Sequence, residues 1–214
     1  MNCHWCGCAL NSFKPVVENR VYHECDECQW IALDPSCFLS VEEQKQRYLQ
    51  HENTEENTGY VGMFEDFIKT GIEPFAPKGS RILDYGCGPE PVLANVLSRR
   101  GYSVEAYDIF FKPNDAALHQ KYDVIVLAEV LEHLADPKTV LLGLSGLLNP
   151  GGVIALMTLF HPNDRQSFGK WWYRRDKTHV NFYTTKTIEK MALVLGLTFL
   201  FSDGKRTAVI GKRS

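Results

Sequence analysis

The sequence predicts an α/β protein with a largely parallel sheet, preceded by a small cysteine-bearing module. Three stretches carry this reading. Residues 80–93, SRILDYGCGPEPVL, pass from β-type apolar residues (Ile82, Leu83) through Asp84 and a Gly86-Cys87-Gly88 turn into a helical pattern opening at Pro91. Residues 122–128, YDVIVLA, form a nearly continuous apolar run, as expected of a central parallel strand buried on both faces. Near the N-terminus stand two cysteine pairs, Cys3-x-x-Cys6 and Cys25-x-x-Cys28.

Composition bounds what these stretches can build. The 214 residues suffice for one α/β domain with a small appendage, and 44% hydrophobic residues provide a real core. A net charge of −3 argues against a globally basic nucleic-acid binder. No apolar run reaches the roughly 18 residues of a membrane helix, so no membrane partner is expected. Seven cysteines without a secretion signal read as reduced thiols or metal ligands, which predicts a cytoplasmic protein.

The cysteine pairs lie in residues 1–38. Each pair fits a tight turn with both sulfurs aimed at one ion, and Cys3, Cys6, Cys25 and Cys28 together complete a tetrahedral Zn²⁺ site. A closed set of four sulfurs leaves no open position, so the zinc is expected to be structural. Cys8, His4 and His23 lie close by and offer an alternative ligand set.

Residues 39–78 read as a helical linker and cap. Ser40 and Glu43 form a capping box that starts a helix ending near residue 50. Residues 51–58 are polar and acidic, as in a loop. From Gly59, Tyr60, Met63, Phe64, Phe67 and Ile68 recur at helical spacing. Core packing explains such a stripe, with Tyr60 as the residue placed to face a pocket.

The α/β pattern occupies residues 79–214. Strands are expected at 81–84, 103–107, 122–128 and 153–159, and helices at 91–99, 136–148 and 185–195, with a turn at 149–152. Asp203-Gly204 marks a closing hairpin between strands at 197–202 and 206–211. Only 13 residues separate Asp108 from Tyr122, too few for a helix–strand–helix passage, so a third strand should be short or missing. Residues 160–183 are expected to form a long loop beside the ligand pocket.

A strand, glycine-rich turn and helix N-terminus make a nucleotide-binding arrangement, because the turn lets backbone approach a ligand and the helix end supplies N–H donors. Taken together, ILDYGCGP, EAYD, LAEVLEHL and LLNPGG resemble class I S-adenosylmethionine-dependent methyltransferases, over about residues 59–212. LAEVLEHLADP and THVNFYT look most like the branch of the ubiquinone-biosynthesis O-methyltransferases. The resemblance implies a Rossmann-like sheet and S-adenosylmethionine as cofactor. It implies that Asp84 and Gly86 hold the methionine end, that Gly88 lets backbone approach it, and that Asp108 accepts from both ribose hydroxyls. Glu129, after the fourth strand of the usual order, would face the sulfonium. One departure is Glu90, which stands where the glycine pattern has its last glycine.

Methyl transfer needs alignment and, for an O or N acceptor, a base. His133 and His179 are the candidate bases, and Glu129, Glu132 and His133, at i, i+3 and i+4, could gather a divalent ion on one helical face. A small or medium-sized acceptor is the leading expectation. RNA or protein is the alternative, because Arg165, Lys170, Arg174, Arg175 and Lys177 interleave with Trp171, Trp172 and Tyr173. Tyr60, Trp172, Arg174 and Arg175 are accordingly expected to bind the acceptor. A chain that binds cofactor without catalysis is the third reading, motivated by Glu90.

Overall fold

The computed structural model describes residues 1–16, 19–50 and 54–212, so part of the expected 51–58 loop lies outside the described residues. Parallel strands β4 (Arg81–Tyr85), β5 (Ser103–Tyr107), β6 (Tyr122–Ala128) and β7 (Leu148–Met157) form one side of a six-stranded sheet. A β9 (Thr198–Ser202) and β10 (Thr207–Gly211) hairpin adds antiparallel to β7, giving the order β5-β4-β6-β7-β10-β9. Every residue of β6 except its second and last is buried, which is why its sequence lacks polar alternation.

Helices α3 (Val92–Arg99), α4 (Pro137–Gly146) and α6 (Thr185–Val194) cover the sheet. Two apolar clusters divide its faces. Ile82, Val124, Val126 and Val209 join α2 (Thr58–Phe67) and α3 in one; Leu83, Ile125, Leu127 and Ile210 join α4 and α6 in the other. The alternation of neighbouring residues between the clusters is the two-residue period of a strand. Helix α1 (Val41–Tyr48) begins at the Ser40–Glu43 capping box, and α2 (Thr58–Phe67) runs into a wide turn at Ile68–Ile72.

The short passage from β5 to β6 holds a bridge between Asp108 and Lys112 and a 3₁₀ turn, Asp115–His119, with no strand among these described residues. Two expectations are corrected. The 149–152 turn is absorbed into β7, which begins at Leu148 opposite Tyr122 and shifts register before Val153. Residues 160–183 are no structureless loop. They contain α5 (Arg165–Lys170), a 3₁₀ turn (Tyr173–Arg175) and β8 (Asn181–Phe182).

Strand β8 explains that ordering. The N-terminal strands β1 (Asn11–Phe13), β2 (Tyr22–Glu24) and β3 (Ile31–Leu33) are antiparallel, and β8 pairs with β3 to make a second, four-stranded sheet. Trp30 Nε1 donates to Asn181 Oδ1 at 3.1 Å, and Thr187 of α6 donates to the Cys28 carbonyl at 2.9 Å. Cys3, Trp5, Cys25, Cys28 and Trp30 belong to the same apolar cluster as Leu127, Ile188 and Ala208. With a shared core, the two sheets should unfold together. Chemical denaturation followed by tryptophan fluorescence and by far-ultraviolet circular dichroism should give coincident transitions, and two separated transitions would contradict the shared core. Trp30→Ala should cost about 3–5 kcal/mol in the same experiment.

Candidate functional site

The carboxyl ends of β4, β5 and β6 open into one cavity of about 850 Å³, roofed by α1 and α2. Its lining collects most of the residues singled out in the sequence: Tyr60, Gly86, Gly88, Asp108, Glu129, His133, Trp172, Arg175 and His179. Ligands of open α/β sheets bind at this edge.

On the β4–β5 side, Gly86 and Gly88 have φ of +84° and +69°, in the left-handed region. A Cβ on Gly86 would come within 2.5 Å of Val130 Cγ2, so glycine is required there. Asp108 fixes the turn: Oδ2 accepts from Gly88 N at 3.0 Å, and Oδ1 from Phe110 N at 2.8 Å and Phe111 N at 3.0 Å. A carboxylate offers about four lone-pair sites. Three are used, so Asp108 in this conformation has one left for a hydroxyl, not the two expected. Asp84 lies below the turn, is 3% exposed and does not line the cavity; its Oδ2 has no hydrogen-bond partner. Burial raises its pKa to about 7, against a pull from the Ala94 N–H and with a further push from Asp108. Glu90 is exposed at the cavity mouth and crowds no helix–strand contact.

On the β6 side, Glu129 takes φ of +55°, a conformation rare for a residue with a Cβ. The next turn is 3₁₀ (Leu131–His133), not α-helical, which corrects the expected Glu129, Glu132 and His133 face. Glu132 is fully buried, and the group whose ligand atoms lie within 4.8 Å of one another is Glu132, His133 and His179. The Tyr173 hydroxyl contacts both Glu129, at 2.8 Å, and Glu132. One hydroxyl carries one hydrogen, so the second contact needs a proton from a carboxyl. Burial raises the pKa of both glutamates, and their proximity adds to the push on Glu129. His133 Nδ1 donates to the Thr178 carbonyl at 3.1 Å and His179 Nδ1 to the Tyr173 carbonyl at 2.8 Å. The two rings meet edge to face, 4.7 Å apart.

Arg174 is not at the site. It is 2% exposed, and its guanidinium donates to the carbonyls of Phe168 and Gly169 at the end of α5. Arg165 is engaged by Glu24 at 2.6 Å, so the expected cationic stretch does not form one face. Trp172 is 65% exposed at the rim and does not fold inward as a lid. Sequence reasoning placed α1 but missed its part in the cavity. Arg47 reaches Asp176 Oδ2 through Nε at 3.1 Å and Nη2 at 2.8 Å, and Gln44 and Tyr48 line the cavity beside it. No periodic signal marks that pair, since 129 residues separate its members.

The four predicted cysteines converge. Cys3 Sγ lies 3.2 Å from Cys28 Sγ, and Cys6 Sγ lies 3.3 Å from Cys25 Sγ and 4.0 Å from Cys28 Sγ. Zn–S bonds of about 2.3 Å place tetrahedral sulfurs about 3.8 Å apart, so the set fits zinc with small adjustments.

A family model described as a methyltransferase domain matches residues 62–200. The chain is 32% identical to the ubiquinone biosynthesis O-methyltransferase of Salmonella arizonae over 38% of this chain and 43% of that protein, so it spans less than half of that relative. An O-methyltransferase family protein from Burkholderia thailandensis has a similar fold, with a TM-score of 0.55 at 18% identity over 80% of this chain and 63% of that one. CalO1, a methyltransferase in calicheamicin biosynthesis in its SAH-bound form, gives a TM-score of 0.51 at 17% identity over 81% and 59%.

The buried Asp84 generates a pH-dependent stability. Below its unfolded pKa of 3.8 both states are protonated. Between there and about 7 the unfolded state loses a proton that the folded state keeps, so stability falls as pH rises. Asp84→Asn, which lacks this effect, should gain stability over the parent across that interval, approaching ~4 kcal/mol above it. Urea denaturation without ligand at the two ends of the interval checks this; an advantage that does not grow with pH would refute it.

Proposed function

The chain belongs to the methyltransferase-domain family, and from that premise we propose that it transfers a methyl group from S-adenosylmethionine to a small acceptor. The observation that carries this reading is the single cavity at the ends of β4, β5 and β6, with the glycine turn and Asp108 on one side and two imidazoles on the other. The SAH bound by CalO1, a protein of similar fold, supports the choice of cofactor.

S-adenosylmethionine supplies an activated methyl group on a sulfonium. The chain's own residues do the rest. Gly86 and Gly88 give it a side-chain-free approach, and Asp108 accepts from one ribose hydroxyl through its remaining lone pair. Asp84 Oδ2 is unpartnered beneath the turn and outside the cavity lining, so it would meet the ligand's ammonium end, and give up its proton there, only if the turn opens on binding. Glu129 lines the wall between this half and the acceptor half, where its partial charge complements a sulfonium. Tyr60, Trp172 and Arg175 bound the acceptor side, with His133 and His179 at its wall. With Nδ1 donating to a carbonyl, each neutral imidazole carries its basic lone pair on Nε2. The cavity volume suits the cofactor together with a small acceptor.

We read Cys3, Cys6, Cys25 and Cys28 as a structural zinc site that fixes β3 and, through β8, the acceptor wall. Among the described residues no helix is long and apolar enough to cross a membrane.

Isothermal titration with S-adenosylmethionine tests the reading, and absence of binding would overturn it. Asp108→Ala should weaken binding by about 1–3 kcal/mol, since it removes the hydroxyl acceptor and loosens the turn. Elemental analysis of protein purified without chelator should find one zinc per chain. Cys25→Ser should lose that zinc and lower turnover more than cofactor affinity. Equal loss of both would contradict the assignment of the module to the acceptor wall.

A further inference from the structure

We propose that Asp176 is a positioning residue of the site, and that Arg47 of α1 sets it so that the roof of the cavity aligns the imidazoles of His133 and His179. The proposal rests on the methyl-transfer reading, in which those imidazoles are the bases, for its role and not for its geometry.

Four donors converge on the Asp176 carboxylate. Arg47 gives two of them to Oδ2, from Nε at 3.1 Å and Nη2 at 2.8 Å. Thr178 gives its backbone N–H at 3.0 Å and its hydroxyl at 2.6 Å to Oδ1. A carboxylate offers about four lone-pair sites, so this set matches its capacity, and a side-chain amide could not accept all of it. The backbone carbonyl of Asp176 in turn accepts from His179 N at 3.2 Å. Thr178, held at its N–H and its hydroxyl, presents the carbonyl to which His133 Nδ1 donates at 3.1 Å. One residue therefore fixes both the turn that carries His179 and the carbonyl that orients His133.

Helix α1 has no buried residue, so its seat over the cavity comes from contacts along its inner side. Two of them lead to His133. Arg47 acts through Asp176 and Thr178. The Tyr48 ring meets the His133 ring edge to face, 5.2 Å away at 87°, and rests against Phe110 at 5.9 Å. The tautomer of an imidazole is set by the hydrogen bond that its other nitrogen makes. With Nδ1 held by the Thr178 carbonyl, the basic lone pair of His133 stands on Nε2. There it takes the acceptor's proton as the acceptor oxygen or nitrogen bonds to the methyl carbon, and the carbon–sulfur electron pair stays on sulfur. Seating of α1 and readiness of the base are thus one event.

The test follows imidazole tautomers by nitrogen magnetic resonance of the histidine-labelled full chain, with its cysteine site loaded and at a pH where the rings are neutral. His133→Gln assigns the His133 signal. The wild type should hold His133 as the Nδ1–H tautomer. Asp176→Asn and Arg47→Ala should each move its tautomer ratio ~5-fold toward Nε2–H, the ratio that one hydrogen bond sustains. Arg47→Lys, which keeps a donor for Oδ2, should move it less. His23 and His161, held by Asp34 and by the Gln29 carbonyl, should keep their signals, which separates positioning from general loosening. The Arg47 side chain is 43% exposed, so Arg47→Ala decides the matter even where the Asp176 variant fails to fold. A wild-type His133 without a predominant Nδ1–H form, an unchanged ratio in Arg47→Ala, or movement of His23 and His161 along with His133 overturns the assignment. If S-adenosylmethionine binds the wild type while the ratio does not respond, the positioning role falls and the methyl-transfer reading stands. A ratio that responds in a chain that binds no cofactor supports the positioning and removes that reading.

Discussion

The pairing of β3 with β8 is the constraint on which the rest of the structure depends. It is short, joining Ile31 to Phe182 and Ala32 to Asn181, yet it fixes three things together. It completes the N-terminal sheet, which would otherwise expose the edge of β3. It orders the segment between β7 and α6, which would otherwise be a long connection. Through Val180, whose N–H donates to the Glu132 carbonyl at 2.8 Å, it also ties that segment to the 3₁₀ turn of Glu132 and His133. His179 stands immediately before this joint. The cysteine cluster therefore acts on the cavity wall mechanically, by holding the strand that holds the wall, although no cysteine of the cluster lines the cavity.

The wall itself concentrates local cost. Glu129 adopts a left-handed conformation, and Glu132 is a carboxyl with no access to solvent. Each departs from what local preference favours, by about 1–3 kcal/mol for the backbone alone. Tyr173 offsets part of this by contacting both carboxyls, and its own placement comes from packing against Trp171 and His179. Strain gathered at one edge of an otherwise regular sheet is the pattern of a working site.

How much of this could be read beforehand follows from the range of each interaction. The sheet strands, α1 with its capping box, and the glycine turn are set by neighbours in sequence, and periodicity exposes them. The four cysteines were legible because metal spacing is itself a local pattern. The ordering of 160–183 was not, because its partner β3 lies about 150 residues away and contributes only two paired residues. Arg174 looked like a surface cation because its charge is satisfied by carbonyls of its own preceding helix, which no side-chain pattern reports. The spacing of Glu129, Glu132 and His133 suggested a helical face; a left-handed residue followed by a 3₁₀ turn broke that geometry and brought in His179, 46 residues later.

Charge at the cavity narrows what it can accept. Its lining carries Glu90, Asp108, Glu129 and Asp176 against Arg47 and Arg175, and Arg47 is already paired with Asp176. Even with Glu129 holding a proton, the remaining field favours a cationic ligand over an anionic one. Glu90 then reads as part of this field. Helix α3 starts only at Val92, with Pro91 at its cap, so the Glu90 side chain sits at the mouth. An anion there is favourable beside a helix N-terminus and unfavourable to an entering phosphate. A polyanion such as RNA would meet repulsion at the mouth, while Arg165 and Arg174, which a flat basic surface would need, are engaged elsewhere. The same field draws in a molecule bearing a sulfonium and an ammonium. The electrostatics of the cavity thus suit the proposed cofactor and weigh against a polyanionic acceptor.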